Sequence, residues 1–150
     1  MKIRNIIYAL LCGVLLISCE NGENNELPPK PIEKQCYKGT MTVDQNDGSF
    51  YTREDVEVDY EIKDGVLNFV MYKVKFAQGM PLTLDMVVEG VTYSESPEGY
   101  ILTGDGIVPY AMGGPFEKYT ITSLQGNITE SCFSLSFNCG EYPVTYEGSR

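Results

Sequence analysis

Carboxylates are the most numerous side chains in this chain that could do chemistry. Its 150 residues include 21 Asp and Glu and no His. The lack of imidazole excludes Ser-His-Asp catalysis, Cys-His catalysis and metal sites built on His. Four carboxylates alternate along one segment, Asp55, Glu57, Asp59 and Glu61. Alternate residues of a strand lie about 6.6–6.8 Å apart, whereas Ca²⁺ holds its oxygen ligands at about 2.3–2.6 Å. We therefore interpret the row as a solvated outer face.

No catalytic motif accompanies these carboxylates. The sequence has no G-x-S-x-G nucleophile elbow, no Gly-rich phosphate loop between a strand and a helix, and no metal-binding Cys pair. Among so many acids, no pair stands out as a general acid and base. We expect no enzyme, no catalytic residue, no metal and no cofactor, with a carboxylate-dependent hydrolase as the second alternative function.

The charge of the chain excludes two classes of partner. Only 11 Lys and Arg balance the acids, which leaves a net charge of −10. Nucleic acid and anionic lipid surfaces both require clustered cations. A hydrophobic fraction of 43% still suffices for a packed core. The length and composition predict a single folded domain.

The N-terminus carries an export signal. Lys2 and Arg4 precede an apolar run over residues 6–17, which is too short to span a bilayer as a helix. The run ends in Leu16-Ile17-Ser18-Cys19, which resembles the lipobox of bacterial lipoproteins. The resemblance implies that Cys19 is acylated and becomes the first residue after cleavage. An ordinary secretory signal is the alternative.

The sequence divides into three parts. Residues 1–18 are the predicted lipoprotein signal peptide, residues 19–35 a lipid-anchored disordered tether, and residues 36–150 the folded domain. The tether is acidic, then Pro-rich, and has almost nothing to bury. Its acidic residues just after Cys19 are similar to a signal that some Gram-negative bacteria use to display lipoproteins on the outer face. We expect an outer-membrane lipoprotein and leave its orientation, periplasmic or cell-surface, open.

The domain has the period-two pattern of β-strands. Val56, Val58, Tyr60 and Ile62 share one face of a strand whose other face is acidic. Asp64-Gly65 then predicts a tight hairpin turn. The returning strand should pair Ile62 with Leu67, Tyr60 with Phe69 and Val58 with Met71.

A bulge is needed in the returning strand. Without one, Lys73 and Lys75 would point into the core while Val74 and Phe76 pointed out. We predict a β-bulge within residues 70–72 that reverses this and places both lysines opposite the acidic row.

About eight antiparallel strands are predicted in all, which indicates an all-β sandwich or barrel, and eight strands can close into an up-and-down barrel. The segments are residues 37–43, 54–62, 66–76, 82–91, 100–104 with a continuation at 107–110, 119–128, 132–138 and 143–148. Residues 45–51, 94–99 and 111–115 have the composition of loops.

Several short motifs resemble one known family. They are Tyr37-Lys38-Gly39-Thr40-Met41, the hairpin around Asp64-Gly65, residues 82–91, Gly126-Asn127-Ile128 and Tyr146-Glu147-Gly148. Their order and spacing, with the lipobox, are similar to those of the calycin-like β-barrel lipoproteins of Gram-negative bacteria. The resemblance implies an eight-stranded barrel of lipocalin-like topology. It implies no activity and no catalytic residue.

Three cysteines lie within the domain, Cys36, Cys132 and Cys139. Export permits a disulfide. Cys132 and Cys139 end one strand and lie too far apart to bond. Cys36–Cys132 is the first choice because both residues begin strands at the same end of the barrel. Cys36–Cys139 is the second choice, and three unbonded thiols are the further alternative.

Aromatic residues near the turns are the candidate ligand-binding groups. We select Tyr51, Tyr93, Tyr100, Tyr110 and Met112, which could face a carbohydrate or small hydrophobic ligand at the barrel mouth. Simple core filling is the alternative for such rings. The loop around Met112 is either a plain connector or a lid.

These features predict a non-enzymatic binding protein held on the membrane through its N-terminal lipid. Its partner would be a small hydrophobic or carbohydrate ligand or a protein, and we expect a monomeric domain that binds no nucleic acid. A void of about 300 Å³ inside the barrel is required for the small-ligand version, whereas a filled interior favours a protein partner. The first alternative is an inhibitor of secreted proteases that inserts a rim loop such as residues 111–116.

Overall fold

The computed structural model describes residues 35–150, so the predicted signal peptide, Cys19 and the tether up to residue 34 lie outside the described residues. Ten β-strands and one short 3₁₀ turn at Glu117–Tyr119 follow. The strands are β1 (Gln35–Asp44), β2 (Phe50–Lys63), β3 (Val66–Val74), β4 (Leu84–Ser96), β5 (Gly99–Gly104), β6 (Tyr110–Ala111), β7 (Gly114–Pro115), β8 (Ile121–Thr129), β9 (Cys132–Cys139) and β10 (Tyr142–Ser149).

Eight of these strands form a closed, antiparallel, up-and-down barrel. Strands β1 to β5 and β8 to β10 each pair with the barrel strand before and after them. The pairing of β1 with β10 closes the ring. Strands β6 and β7 form a small hairpin that joins β4 through the pair Val87–Tyr110. The predicted all-β, eight-stranded barrel is confirmed.

The hairpin predicted from the alternating segment is also confirmed. Ile62 pairs with Leu67, Tyr60 with Phe69 and Val58 with Met71. Asp64 and Gly65 both have positive φ, 53° and 78°, as a tight hairpin turn requires. The predicted loop at residues 94–99 is wrong, because β4 continues to Ser96 and only Pro97 and Glu98 separate it from β5.

The predicted bulge in β3 exists at the edge of the predicted range. The register with β4 shifts between Met71 and Val74, and Lys73 has a φ of 52°. Val74 and Phe76 are therefore buried while Lys73 is exposed. The bulge also leaves Tyr72 beside Asp59, and the Tyr72 hydroxyl donates a hydrogen bond to Asp59 Oδ2 at 2.9 Å. Asp59 is thus buried, which corrects its assignment to the solvated row.

Side-chain acceptors satisfy the backbone at three irregular positions in the barrel. The amide of Lys73 donates to Asp85 Oδ1 at 2.8 Å, and that of Ser123 donates to Asp105 Oδ1 at 2.9 Å. The amide of Gly90 donates to Asn68 Oδ1 at 2.9 Å. A bulge removes an amide from the ladder, and each of these hydrogen bonds gives one such amide a new acceptor. The short polar side chains on neighbouring strands therefore make these bulges tolerable.

Large side chains fill the interior of the barrel. Phe133 is fully buried, and its ring centroid lies 5.5 Å from Tyr37, 5.9 Å from Tyr60, 6.1 Å from Phe69 and 6.2 Å from Tyr146. All four contacts are edge-to-face, which is a favourable arrangement for aromatic rings. The core is therefore packed by aromatic residues where a lipocalin-type ligand chamber would lie.

Candidate functional site

The two ends of the barrel carry different connections. We call the end that holds Gln35 and the β2–β3, β4–β5 and β8–β9 turns the proximal rim, because the chain enters the barrel there. The opposite end, with the β1–β2, β3–β4, β5–β8 and β9–β10 connections, is the distal rim.

The five predicted ligand residues do not form one site. Tyr93 and Tyr100 lie together at the proximal rim, with ring centroids 5.5 Å apart. Tyr51, Tyr110 and Met112 belong to the distal rim, at the start of β2 and in the β6–β7 hairpin. Tyr93 near the end of β4 and Tyr100 at the start of β5 share one rim, whereas Tyr51 at the start of β2 belongs to the other, so the five residues cannot all contact one ligand.

A pocket of about 310 Å³ opens at the proximal rim. We call it the tyrosine dish, and the residues that define it are Gln35, Tyr60, Glu98, Tyr100, Glu130 and Arg150. Tyr60 and Tyr100 are half-buried and meet at 6.4 Å with an interplanar angle of 69°. The two Glu residues and Arg150 are exposed. The dish thus combines two aromatic rings with charged groups of both signs.

The base of the tyrosine dish is held by hydrogen bonds. The Tyr60 hydroxyl donates to Gln35 Oε1 at 3.3 Å, and the Tyr37 hydroxyl donates to the Thr129 carbonyl at 2.8 Å. Burial, with smaller contributions from Tyr37 and Tyr100, raises the pKa of Tyr60 to about 12. Tyr60 therefore keeps its proton at neutral pH and can both donate and accept hydrogen bonds.

The distal rim is closed by packed side chains and loop contacts. Phe116 stacks on Tyr119 at 4.9 Å, and Tyr119 contacts Phe76 at 5.5 Å. Gln45 Nε2 donates to the Phe76 carbonyl at 3.2 Å, and Asn46 Nδ2 donates to the Glu141 carbonyl at 2.7 Å. These contacts join the β1–β2 loop to the β3–β4 and β9–β10 connections. Packed side chains and hydrogen bonds therefore close this end of the barrel.

Large apolar side chains nevertheless remain exposed on this closed rim. We call them the apolar rim: Phe50, Leu82, Tyr110 and Met112, with exposed fractions of 66, 65, 47 and 76%. They come from the start of β2, the β3–β4 connection and the β6–β7 hairpin. Large exposed apolar side chains at one end of a barrel offer surface that a partner could cover.

The segment proposed as an inhibitory loop or lid is a tight hairpin. Ala111 pairs with Gly114, and Met112 and Gly113 at its tip have φ of 54° and 85°. A protease cleft binds its target as an extended strand, which a left-handed tip does not offer. The hairpin instead places the exposed Met112 side chain at its tip.

The structure does not bring the predicted disulfide partners together. No disulfide joins Cys36, Cys132 and Cys139 to one another. Strand β10 lies between β1, which carries Cys36, and β9, which carries Cys132. Two strand spacings amount to about 9.6 Å, beyond the roughly 7 Å limit for the Cα atoms of a disulfide. Cys139 is buried at the distal end of β9, far from Cys36 at the proximal rim.

Burial of Cys139 makes stability depend on alkaline pH. Burial raises the pKa of its thiol to about 12, whereas an unperturbed thiol ionises near pH 8.5. Between these values the unfolded chain loses a proton that the folded chain keeps, so stability falls as pH rises. Urea titrations from pH 7 to about pH 11 should show that the free energy of unfolding falls less for Cys139→Ala than for the wild type. Equal losses would contradict this role of Cys139.

The acidic row on the outer face is partly neutralised. Lys38 Nζ lies 3.3 Å from Asp55 Oδ1, and Arg53 and Lys73 border a surface pocket with Asp55 and Glu57. No three His, Cys, Asp or Glu side chains come together as a metal site within residues 35–150. The same part of the chain contains no helix of the length and apolar character needed to cross a membrane.

Sequence reasoning missed several residues of both surfaces. Tyr60 was assigned to the core face of its hairpin, and Leu82 to a strand. Glu98 and Glu130 lie in turns that follow even-numbered barrel strands counted from β1, and such turns share one rim of an up-and-down barrel. Counting the strands in this way would have placed Glu98 and Glu130 at the same rim as Tyr100.

Comparisons with known proteins add no relative. No protein-family model matches this chain, and neither the curated proteins nor the solved structures contain a match to it. Membership of the calycin-like lipoproteins therefore stays a prediction, and what is established is the closed eight-stranded antiparallel barrel.

Proposed function

We propose that this chain is a lipid-anchored outer-membrane protein, without enzymatic activity, that binds a protein partner through the apolar rim. The observation that supports the proposal is the exposure of Phe50, Leu82, Tyr110 and Met112, which all come from elements at the distal rim of a barrel with a packed core. A filled barrel offers little room for a ligand of the lipocalin type. The exposed rim offers apolar surface that a protein partner would bury.

The direction of the chain supports the same surface. β1 begins at Gln35 on the proximal rim and runs ten residues to the distal rim, a length of about 33 Å. The predicted tether joins the domain at Gln35 on the proximal rim, so its point of attachment does not occupy the apolar rim.

The charge of the rim indicates the chemistry of the partner. The connections at this end carry four exposed acids, Asp47, Asp105, Glu117 and Glu141, against one exposed cation, Lys118. A partner with an apolar patch bordered by Lys and Arg would complement this surface, and charge complementarity chiefly raises the rate of association. We expect association to slow as salt is raised.

Photo-crosslinking tests the apolar rim. A photoreactive residue at Met112 should give a discrete crosslinked product in intact cell envelopes, and one at Leu82 should give the same product. Ile101 is the matched control, because it is also apolar and 49% exposed but lies on the outer face of β5. The same product from Ile101, or none from either rim position, would contradict the proposal.

Metabolic labelling tests the anchor. Cells grown with labelled palmitate should incorporate label into the wild-type protein, and Cys19→Ala should abolish incorporation because it removes the acylated sulfur. The variant should also leave the membrane fraction, since the acyl chains supply the affinity for the bilayer. A Cys19→Ala protein that still carries label would overturn the assignment.

A further inference from the structure

We infer that the tyrosine dish is a second binding site and that its ligand is a short saccharide. The site lies at the opposite end of the barrel from the apolar rim and does not depend on it. Its volume of about 310 Å³ is at the small end of the range for ligand sites. That size suits a ligand of one or two sugar units and excludes a long acyl chain.

The lining of the dish matches the surface of a sugar. Tyr60 and Tyr100 offer apolar ring surface to carbon-bound hydrogens and a hydroxyl at the ring edge. The Glu98 and Glu130 carboxylates accept hydrogen bonds, and the Arg150 guanidinium donates them. A sugar hydroxyl both donates and accepts, so it can pair with either kind of group.

Other ligand classes fit the same groups less well. A purely apolar ligand would take water from the charged rim of the dish without replacing its hydrogen bonds. Glu98 and Glu130 would repel an anion, whereas Arg150 would repel a simple cation. An organic ammonium ion on the tyrosine rings is the main competitor and is separated by the experiment below.

The dish is preorganised for such a ligand. Tyr60 packs on Phe133 at 5.9 Å, and its hydroxyl is positioned by Gln35. Tyr100 is held between Tyr93 and Tyr60 by edge-to-face contacts. Groups that are fixed before binding lose little conformational entropy when the ligand arrives.

Titration of the full-length protein in detergent with neutral oligosaccharides tests the inference. The probes are cellobiose, maltotriose, xylobiose and N-acetyllactosamine, and tetramethylammonium is the competing probe. We expect at least one saccharide to bind with a Kd of about 1 mM or tighter. Tyr100→Ala should weaken it about tenfold, as the loss of one aromatic contact implies.

Two further variants keep the test decisive. Arg150→Gln changes an exposed side chain and should weaken binding without altering the thermal midpoint, which covers the case that Tyr100→Ala unfolds. Tyr110→Ala on the apolar rim should leave saccharide binding unchanged. Binding of none of the saccharides, binding that both dish variants retain, or stronger binding of tetramethylammonium would each overturn the inference. None of these results would affect the apolar rim.

Discussion

Replacing Phe133 with Ala should lower the free energy of unfolding by about 3–5 kcal/mol. Phe133 is completely buried and makes edge-to-face contacts with Tyr37, Tyr60, Phe69 and Tyr146. These partners are large rings on four different strands, so they cannot all collapse into the space that the deleted ring leaves. The loss would be a large part of the roughly 5–15 kcal/mol that holds a domain folded.

Urea unfolding followed by circular dichroism measures this effect. Phe50→Ala is the matched control, since the same ring is 66% exposed there and its removal should cost less than about 1 kcal/mol. Similar losses for the two variants would mean that the barrel interior is not packed around Phe133. They would also reopen the possibility of a ligand inside the barrel.

The register of the barrel could be predicted where the sequence signal is local. In β2 and β3 the apolar residues alternate on either side of an Asp-Gly turn, and the turn fixes which residues pair. Every pair expected there, such as Tyr60 with Phe69, occurs in the structure. The bulge could be predicted as well, because the alternative was to bury Lys73 and Lys75.

Features that depend on distant strands could not be predicted in this way. The bulges at Ser123 and Gly90 are satisfied by Asp105 and Asn68, and each acceptor is on another strand or connection. The burial of Asp59 requires Tyr72 to cover it, which no alternation within β2 reveals. Such contacts follow from the twist and closure of the barrel and not from the period of one segment.

The candidate sites were predicted by residue type but not by location. Tyr100 was selected for its ring and does line the tyrosine dish. Tyr51 was grouped with it, although it begins an even-numbered strand and Tyr100 an odd-numbered one, which places them at opposite rims. The exposure of Phe50 could not be predicted, because its neighbours in the sequence do not show which side chains close the rim.

A large effect of a small substitution is expected at Gly39. This residue pairs with Gly148 where β1 meets β10, the seam that closes the barrel. A Cβ atom at position 39 would overlap the Glu147 carbonyl oxygen and Gly148 Cα. Both are backbone atoms, so relief requires separation of the two strands. Gly39→Ala should therefore destabilise the fold by on the order of 3 kcal/mol, at the upper end of overpacking effects.

Local hydrogen bonding makes this prediction specific to the seam. The buried Tyr146 hydroxyl lies 3.2 Å from the carbonyl oxygens of both Tyr37 and Val56, so its hydrogen bonds link β10 to β1 and β2 close to Gly39. Separation of β1 from β10 would break these bonds and leave buried polar groups unpaired. Hydrogen exchange should then show lost protection at the β1–β10 amides before those of the β2–β3 hairpin.

Gly79→Ala is the control, since its Cβ would meet nothing within 4 Å, and it should leave stability and exchange unchanged. If Gly39→Ala matched that control, the ring could not be closed through this pairing.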